Sequence, residues 1–140
     1  MSFDPYLHFQ GRCREAFEFY RQVFGGTLEM MPYSANPDWP ADAPEALRRS
    51  DHILHACLTL PDGRMLMGSD FPETMEGERQ QAVSILHVAP DLPRAQEVFF
   101  RLEGRGGEVI SAFQPTFFST GFGMVKDRFG TQWMVSGPTP

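Results

Sequence analysis

Four histidines and two cysteines, His8, His52, His55, His87, Cys13 and Cys57, hold most of the reactive side-chain chemistry of this 140-residue chain. Imidazoles ligate divalent ions or pass protons near neutral pH. His8 and His87 occupy matching places in an internal repeat, and His52 and His55 lie on or near one strand, a pattern that raises an imidazole-based metal or acid–base centre. Cys13 sits between Arg12 and Arg14 where a helix begins, and both features favour a thiolate. No base accompanies it nearby, so a small buried hydrophobe on the helix's inner face is the simpler account.

The elements that position these groups come in two copies. An offset of 79 residues sets Leu7-His8-Phe9 against Leu86-His87-Val88, Ala16 against Ala95, Tyr20 against Phe99 and Val23 against Leu102. Further on, an offset of 67 sets Gly63, Met67 and Ser69 against Gly130, Met134 and Ser136. Duplication of this kind decides architecture before any local motif does.

In the first copy, residues 6–10 read as a strand and residues 13–24 as a helix with Cys13, Ala16, Phe17, Tyr20, Val23 and Phe24 on one stripe. Gly25-Gly26 stops that helix. Strands follow over 27–33, 53–60 and 64–69, the last two joined by a Pro61-Asp62-Gly63 turn. The second copy repeats the series with strands over 83–89, 109–113, 117–126 and 131–136 and a helix capped by Asp91. The expected fold is α+β: duplicated βαβββ modules over residues 3–71 and 82–137 within a single domain, forming a curved mixed sheet around a cleft. One helix covers one sheet face, so the other face is left for a ligand. An insert at 34–50, rich in proline, is absent from the second copy, and residues 72–81 form a linker. Asp70, Glu73, Glu76 and Glu78 read there as a solvated acidic run.

Strand alternation sorts the candidates by face. Taking Pro5, Leu7 and Phe9 as cleft-facing turns His8 and, by the repeat, His87 toward the helices as structural histidines, leaving His55 as the functional candidate. The same parity puts Met67, Ser69, Gln132 and Met134 in the cleft and Leu66, Trp133 and Val135 under the helices. Leu7, Phe9, Met67, Leu86, Met134 and aromatic residues such as Phe117 would grip a flat or greasy molecule, with Ser84, Gln132 and His55 as polar contacts. The alternative is that these side chains fill the cleft as core. Tyr33 and Trp39 of the insert suit a lid or a dimer contact.

Net charge is −6 and the pI near 5.1, which opposes binding to a phosphate polymer. No apolar run is long enough to span a bilayer and no secretion signal opens the chain, so a cytoplasmic location is expected. Two cysteines in a helix start and a strand do not form a disulfide framework.

Tyr6-Leu7-His8-Phe9-Gln10-Gly11, Glu15-Ala16 with Phe19-Tyr20, Phe24-Gly25-Gly26, His55-Ala56, Leu66-Met67-Gly68-Ser69-Asp70, Thr116-Phe117-Phe118, Phe122-Gly123 and the Asp127, Phe129-Gly130, Trp133 series resemble, in order, the vicinal oxygen chelate superfamily of glyoxalase I, extradiol dioxygenases and bleomycin- or fosfomycin-resistance proteins. Within it the chain is most similar to the PhnB-like family. The resemblance implies a homodimer with a cleft that, in metal enzymes, holds a divalent ion between a first-strand ligand and a last-strand carboxylate from each module. Carried onto this chain, those positions fall on Pro5 and Ser84, and on Met67 and Met134. None is a usual ligand for such an ion.

No metal and no other cofactor are therefore expected at that place. A methyltransferase label attached to the family finds no strand followed by a glycine-rich turn and helix here. Three functions stay open: a metal-free protein binding a small molecule, an enzyme using His55, Cys13 or a metal at a new place, and a structural or regulatory dimer with a filled cleft.

Overall fold

The structure is a computed structural model that describes residues 1–140. The chain divides into two compact units, Met1–Arg79 and Gln80–Pro140. In the first, β1 (Tyr6–Phe9), α1 (Cys13–Phe24), β2 (Thr27–Pro32), α2 (Glu45–Arg48), β3 (Ile53–Thr59) and β4 (Met65–Asp70) build a four-stranded sheet in the order β1-β4-β3-β2. In the second, β5 (Ser84–Val88), α3 (Leu92–Glu103), β6 (Glu108–Gln114), β7 (Phe122–Lys126) and β8 (Gln132–Ser136) repeat it as β5-β8-β7-β6. The first strand of each unit runs parallel to the last, and the other pairs are antiparallel.

Each unit's core lies between its helix and one face of its sheet. From α1, Cys13, Ala16, Phe17, Tyr20 and Val23 are buried; from α3, Ala95, Val98, Phe99 and Leu102 are. Phe17 meets Phe9 edge-on, with 6.3 Å between ring centroids, and lies close to Gly68. In the second unit Phe99 covers Gly123 and meets Phe113 at 5.3 Å. A Cβ on Gly68 would come within 2.8 Å of both the Phe17 ring and the Leu7 carbonyl, so glycine is what lets helix and sheet approach there.

The two helices start by different means. α3 has a local cap, Asp91 Oδ1 accepting from Arg94 N at 2.8 Å. α1 follows Arg12, which offers no side-chain cap. Instead the buried Asp70 carboxylate reaches over from β4, its Oδ1 accepting from Gly11 N and Cys13 N, both at 2.9 Å, and its Oδ2 from Ile53 N at 2.8 Å. Asp70 is thus an interior anchor and not part of a solvated acidic run. Its charge is met by three N–H donors, two of them at a helix N-terminus, where anions are favoured.

Asp127 anchors the second unit's last turn similarly. Its Oδ1 accepts from Phe129 N and Thr131 N, and its Oδ2 from Trp133 Nε1 at 2.9 Å.

Two segments differ most from the sequence expectation. β7 begins at Phe122, because residues 115–121 form an irregular loop held by the Ser119 hydroxyl, which donates to the Gly121 carbonyl at 2.7 Å. The insert folds onto its own unit: Tyr33 is buried with its hydroxyl donating to the Asp70 carbonyl at 2.7 Å, and Trp39 donates to the Tyr33 carbonyl while stacking on its ring. Tyr33 is therefore an internal strut and is not available as a lid or a dimer contact.

Candidate functional site: the open sheet faces

The strand registers decide which side chains each sheet turns away from its helix. In the first unit Tyr6 pairs with Met67 and His8 with Ser69, while Leu7 pairs with Gly68 and Phe9 with Asp70. Leu7 and Phe9 are buried on the helix side. The expected cleft positions Leu7 and Phe9 are therefore corrected: they are core. Their neighbours Tyr6 and His8, expected to face the helix in the case of His8, stand on the open face.

In the second unit the parity is as expected. Leu86 pairs with Met134 and Ser84 with Gln132, and His87 shares its rung with buried Val135.

A one-residue slip reconciles the two. Tyr6, not Leu7, is the counterpart of Leu86, because each pairs with the methionine of its unit's last strand. The strands repeat at an offset of 80 while the helices keep 79, so the path from equivalent rungs, His8 and Val88, to the helix starts, Cys13 and Leu92, is one residue longer in the first unit, where Gly11 takes a φ of +93°. Shifting a strand by one residue exchanges its two faces. The same slip removes the pairing of Pro5 with Ser84; by the ladder the counterpart of Ser84 is Asp4, which accepts from the Ser2 hydroxyl at 2.6 Å.

The first unit's open face gathers Tyr6 and His8 from β1, Met65, Met67 and Ser69 from β4, His55 and Cys57 from β3, and Met31 from β2. Tyr6 Oη lies 2.9 Å from His55 Nδ1, and the two rings stack at 5.7 Å. His8 Nδ1 lies 3.3 Å from Ser69 Oγ, and the His8 ring stacks on Phe71. A phenol hydrogen-bonded to an imidazole is a polar handle on a mixed floor, where Glu29, paired with Cys57, also stands. Sequence reasoning found His55 but missed Tyr6 and placed His8 on the wrong face.

The second unit's face is apolar. Leu86 and Val88 are 56% and 60% exposed, Met124 and Met134 share a rung, and Phe117, Phe118 and Phe122 run in successive edge-on contacts with 5.1 Å between centroids. Phe117 itself is 94% exposed. Ser84, Gln132 and Lys126 supply polar atoms at the far end.

The donor set can be tested against the divalent ion that the resemblance implies. The last-strand positions carry Met67 and Met134, and the first-strand positions carry Ser84 and, by the corrected register, Asp4. Two thioethers and a hydroxyl do not suit a hard or borderline divalent ion, and the one carboxylate already accepts from the Ser2 hydroxyl. His8, newly placed on this face, and His55 both contact the Tyr6 ring, at 5.3 and 5.7 Å between centroids. The residues present do not fit the ion.

Cys13 is removed from the list of nucleophiles. It is fully buried, and burial first, then the charge of Asp70, push its thiol up from the ordinary 9.0 against a smaller opposite pull from Arg14. Native protein is thus expected to release one thiol, the half-buried Cys57, to a thiol reagent, and two in denaturant. The linkage has a sign: below pH 9.0 folded and unfolded chains both keep the Cys13 proton, and above it only the folded chain does.

Stability then falls with rising pH by up to about 1.4 kcal/mol per unit, and the loss is complete once the folded thiol ionises. Tyr33, raised from 10.0 by burial and then Asp70, extends the fall. Denaturant melts from pH 8 to 10 are expected to show a shallower slope for Cys13→Ala. Equal slopes would contradict the assignment.

The comparisons with known proteins agree with this geometry. The family model of the Glyoxalase/Bleomycin resistance protein/Dioxygenase superfamily matches residues 2–135. The chain belongs to this superfamily. Among solved structures, protein PA1353 from Pseudomonas aeruginosa is 38% identical with a TM-score of 0.86, the match covering 100% of this chain and 99% of that one. The PhnB protein from Bacillus cereus shares the fold, with a TM-score of 0.72, 21% identity and coverage of 98% and 99%. Protein YjdN of Escherichia coli (strain K12) is 28% identical over 143 residues, or 97% of this chain and 95% of that protein. The superfamily's name spans enzymes and resistance proteins, so membership fixes the scaffold and leaves the chemistry to the residues on the open faces.

Proposed function

We propose that this superfamily member binds a small aromatic or amphipathic molecule on an open sheet face, with no metal ion at that place. One observation carries the proposal: Met67 and Met134 stand at equivalent rungs of the two ladders, on the open faces, where metal enzymes of the superfamily would present carboxylates. Methionine adapts to irregular apolar shapes, and its thioether contacts aromatic rings favourably. The Tyr6–His55 pair and the His8–Ser69 pair give the first face its orienting polar groups. Phe118 and Phe122 give the second an aromatic edge for stacking.

The exposed Leu86, Val88 and Phe117 exceed what scattered surface apolar residues require. A ligand lying on that face accounts for them; the homodimer is carried over from the family resemblance alone, and a cytoplasmic location fits two cysteines with no disulfide.

A thermal-shift screen of flat aromatic and amphipathic compounds, run with and without EDTA, tests this function. The expected result is a saturable rise in Tm that EDTA leaves unchanged. A rise that EDTA abolishes and added divalent metal restores would refute the metal-free account.

A further inference from the structure

We propose that Asp51, His52 and Glu73 form a divalent-cation site of zinc type, separate from the open faces and independent of the ligand-binding function above. Asp51 and His52 lead into β3, and Glu73 follows β4, its neighbour in the sheet, so adjacent strand ends bring the three together. One ligating atom from each lies within 4.8 Å of the other two. His52 Nε2 stands 3.5 Å from Glu73 Oε1, near the roughly 3.4 Å that separates two ligands of a tetrahedral ion with bonds of about 2.1 Å.

Three further observations point to a ligand. The His52 Nε2 has only a long 3.5 Å approach to Glu73 Oε1, too long for a good hydrogen bond, so its lone pair is open to an ion on that side. Second, the groups are already oriented. The buried Ser50 hydroxyl donates to Glu73 Oε1 at 2.8 Å and accepts from His52 N at 3.1 Å, the kind of outer support that fixes metal ligands. Gly11 seats the imidazole, since a Cβ there would lie 3.2 Å from His52 Cε1.

Third, Asp51 and His52 line a hollow of about 310 Å³ beside Glu15 and Glu18, with Arg14 the only cation, so the surroundings are net negative and roomy enough for a water on the ion's fourth position. One imidazole and two carboxylates with an open position suit a borderline divalent ion such as zinc, and a bound water there would be polarised.

The test uses tag-free full-length protein, stripped with EDTA and exchanged into chelator-free buffer, titrated with zinc chloride by calorimetry and with cobalt(II) by absorbance. The expected result is one ion per chain, with visible cobalt bands of a four-coordinate N/O site. His52→Ala is expected to weaken zinc binding at least tenfold, and Asp51→Asn, at an exposed residue whose loss does not threaten folding, to weaken it by a similar factor. Met67→Leu should leave it unchanged. Absence of saturable uptake, or uptake that survives both His52→Ala and Asp51→Asn, would overturn the proposal. Uptake lost on changing Met67 or Tyr6 instead would overturn both it and the metal-free reading of the open face.

Discussion

Asp70→Ala is expected to cost roughly 4 kcal/mol of folding stability, more than any other single polar substitution in the first unit. Three backbone N–H groups, those of Gly11, Cys13 and Ile53, end on this one carboxylate. A hydrogen bond to a charged group contributes about 1.5–3 kcal/mol and an orphaned buried donor costs about 1–3, with strong non-additivity among neighbours. No local residue can take over, because Arg12 provides no cap and Asp70 also lies under the Tyr33 strut. Urea melts at neutral pH measure the loss directly. Asp70→Asn, which keeps one acceptor oxygen, should fall about midway, and a loss below about 1 kcal/mol for alanine would show that α1 starts without it.

The other large effect concerns binding. Leu86→Asp should reduce affinity for an open-face ligand by about ten- to a hundredfold while leaving the melting temperature nearly unchanged. Leu86 is more than half exposed in the chain, so a carboxylate there costs folding little. Covered by a ligand, it forfeits the roughly 1.5–3 kcal/mol of a buried aliphatic side chain and must also be desolvated. Phe100→Asp is the control: Phe100 is equally exposed but belongs to α3. Equal losses from the two would show that the effect is a general one of surface charge and not the open face.

The fold was legible because helix and strand signals agreed in both copies. The Cys13–Phe24 stripe, the Gly25-Gly26 stop, the Asp91 cap and the Pro61-Asp62-Gly63 turn are local, and each stands where local chemistry puts it. The site was legible in half. Met67, Ser84, Gln132 and Met134 stand on the open faces where strand alternation within β4, β5 and β8 puts them. Leu7, Phe9 and His8 exchanged faces because one residue between β1 and α1 shifts the strand and leaves the helix alone, and a repeat alignment tied to the helix carries that error into the strand.

A usable signal was present: Gly11, with a φ of +93°, breaks strand from helix in the first copy, whereas Ala89 and Pro90 lead to the Asp91 cap in the second. Asp70 and Tyr6 were invisible for a different reason. Their roles come from partners 57–59 and 49 residues away, and no local pattern encodes such contacts.

Crystals of protein purified without a metal-affinity step, with diffraction data recorded at the zinc, iron and manganese edges, probe the methionine substitution most directly. Organic density lying against Met67 or against Met134, with no anomalous peak on either open face, is the outcome expected of a face that binds without an ion. A cation held by protein atoms beside either methionine would contradict it.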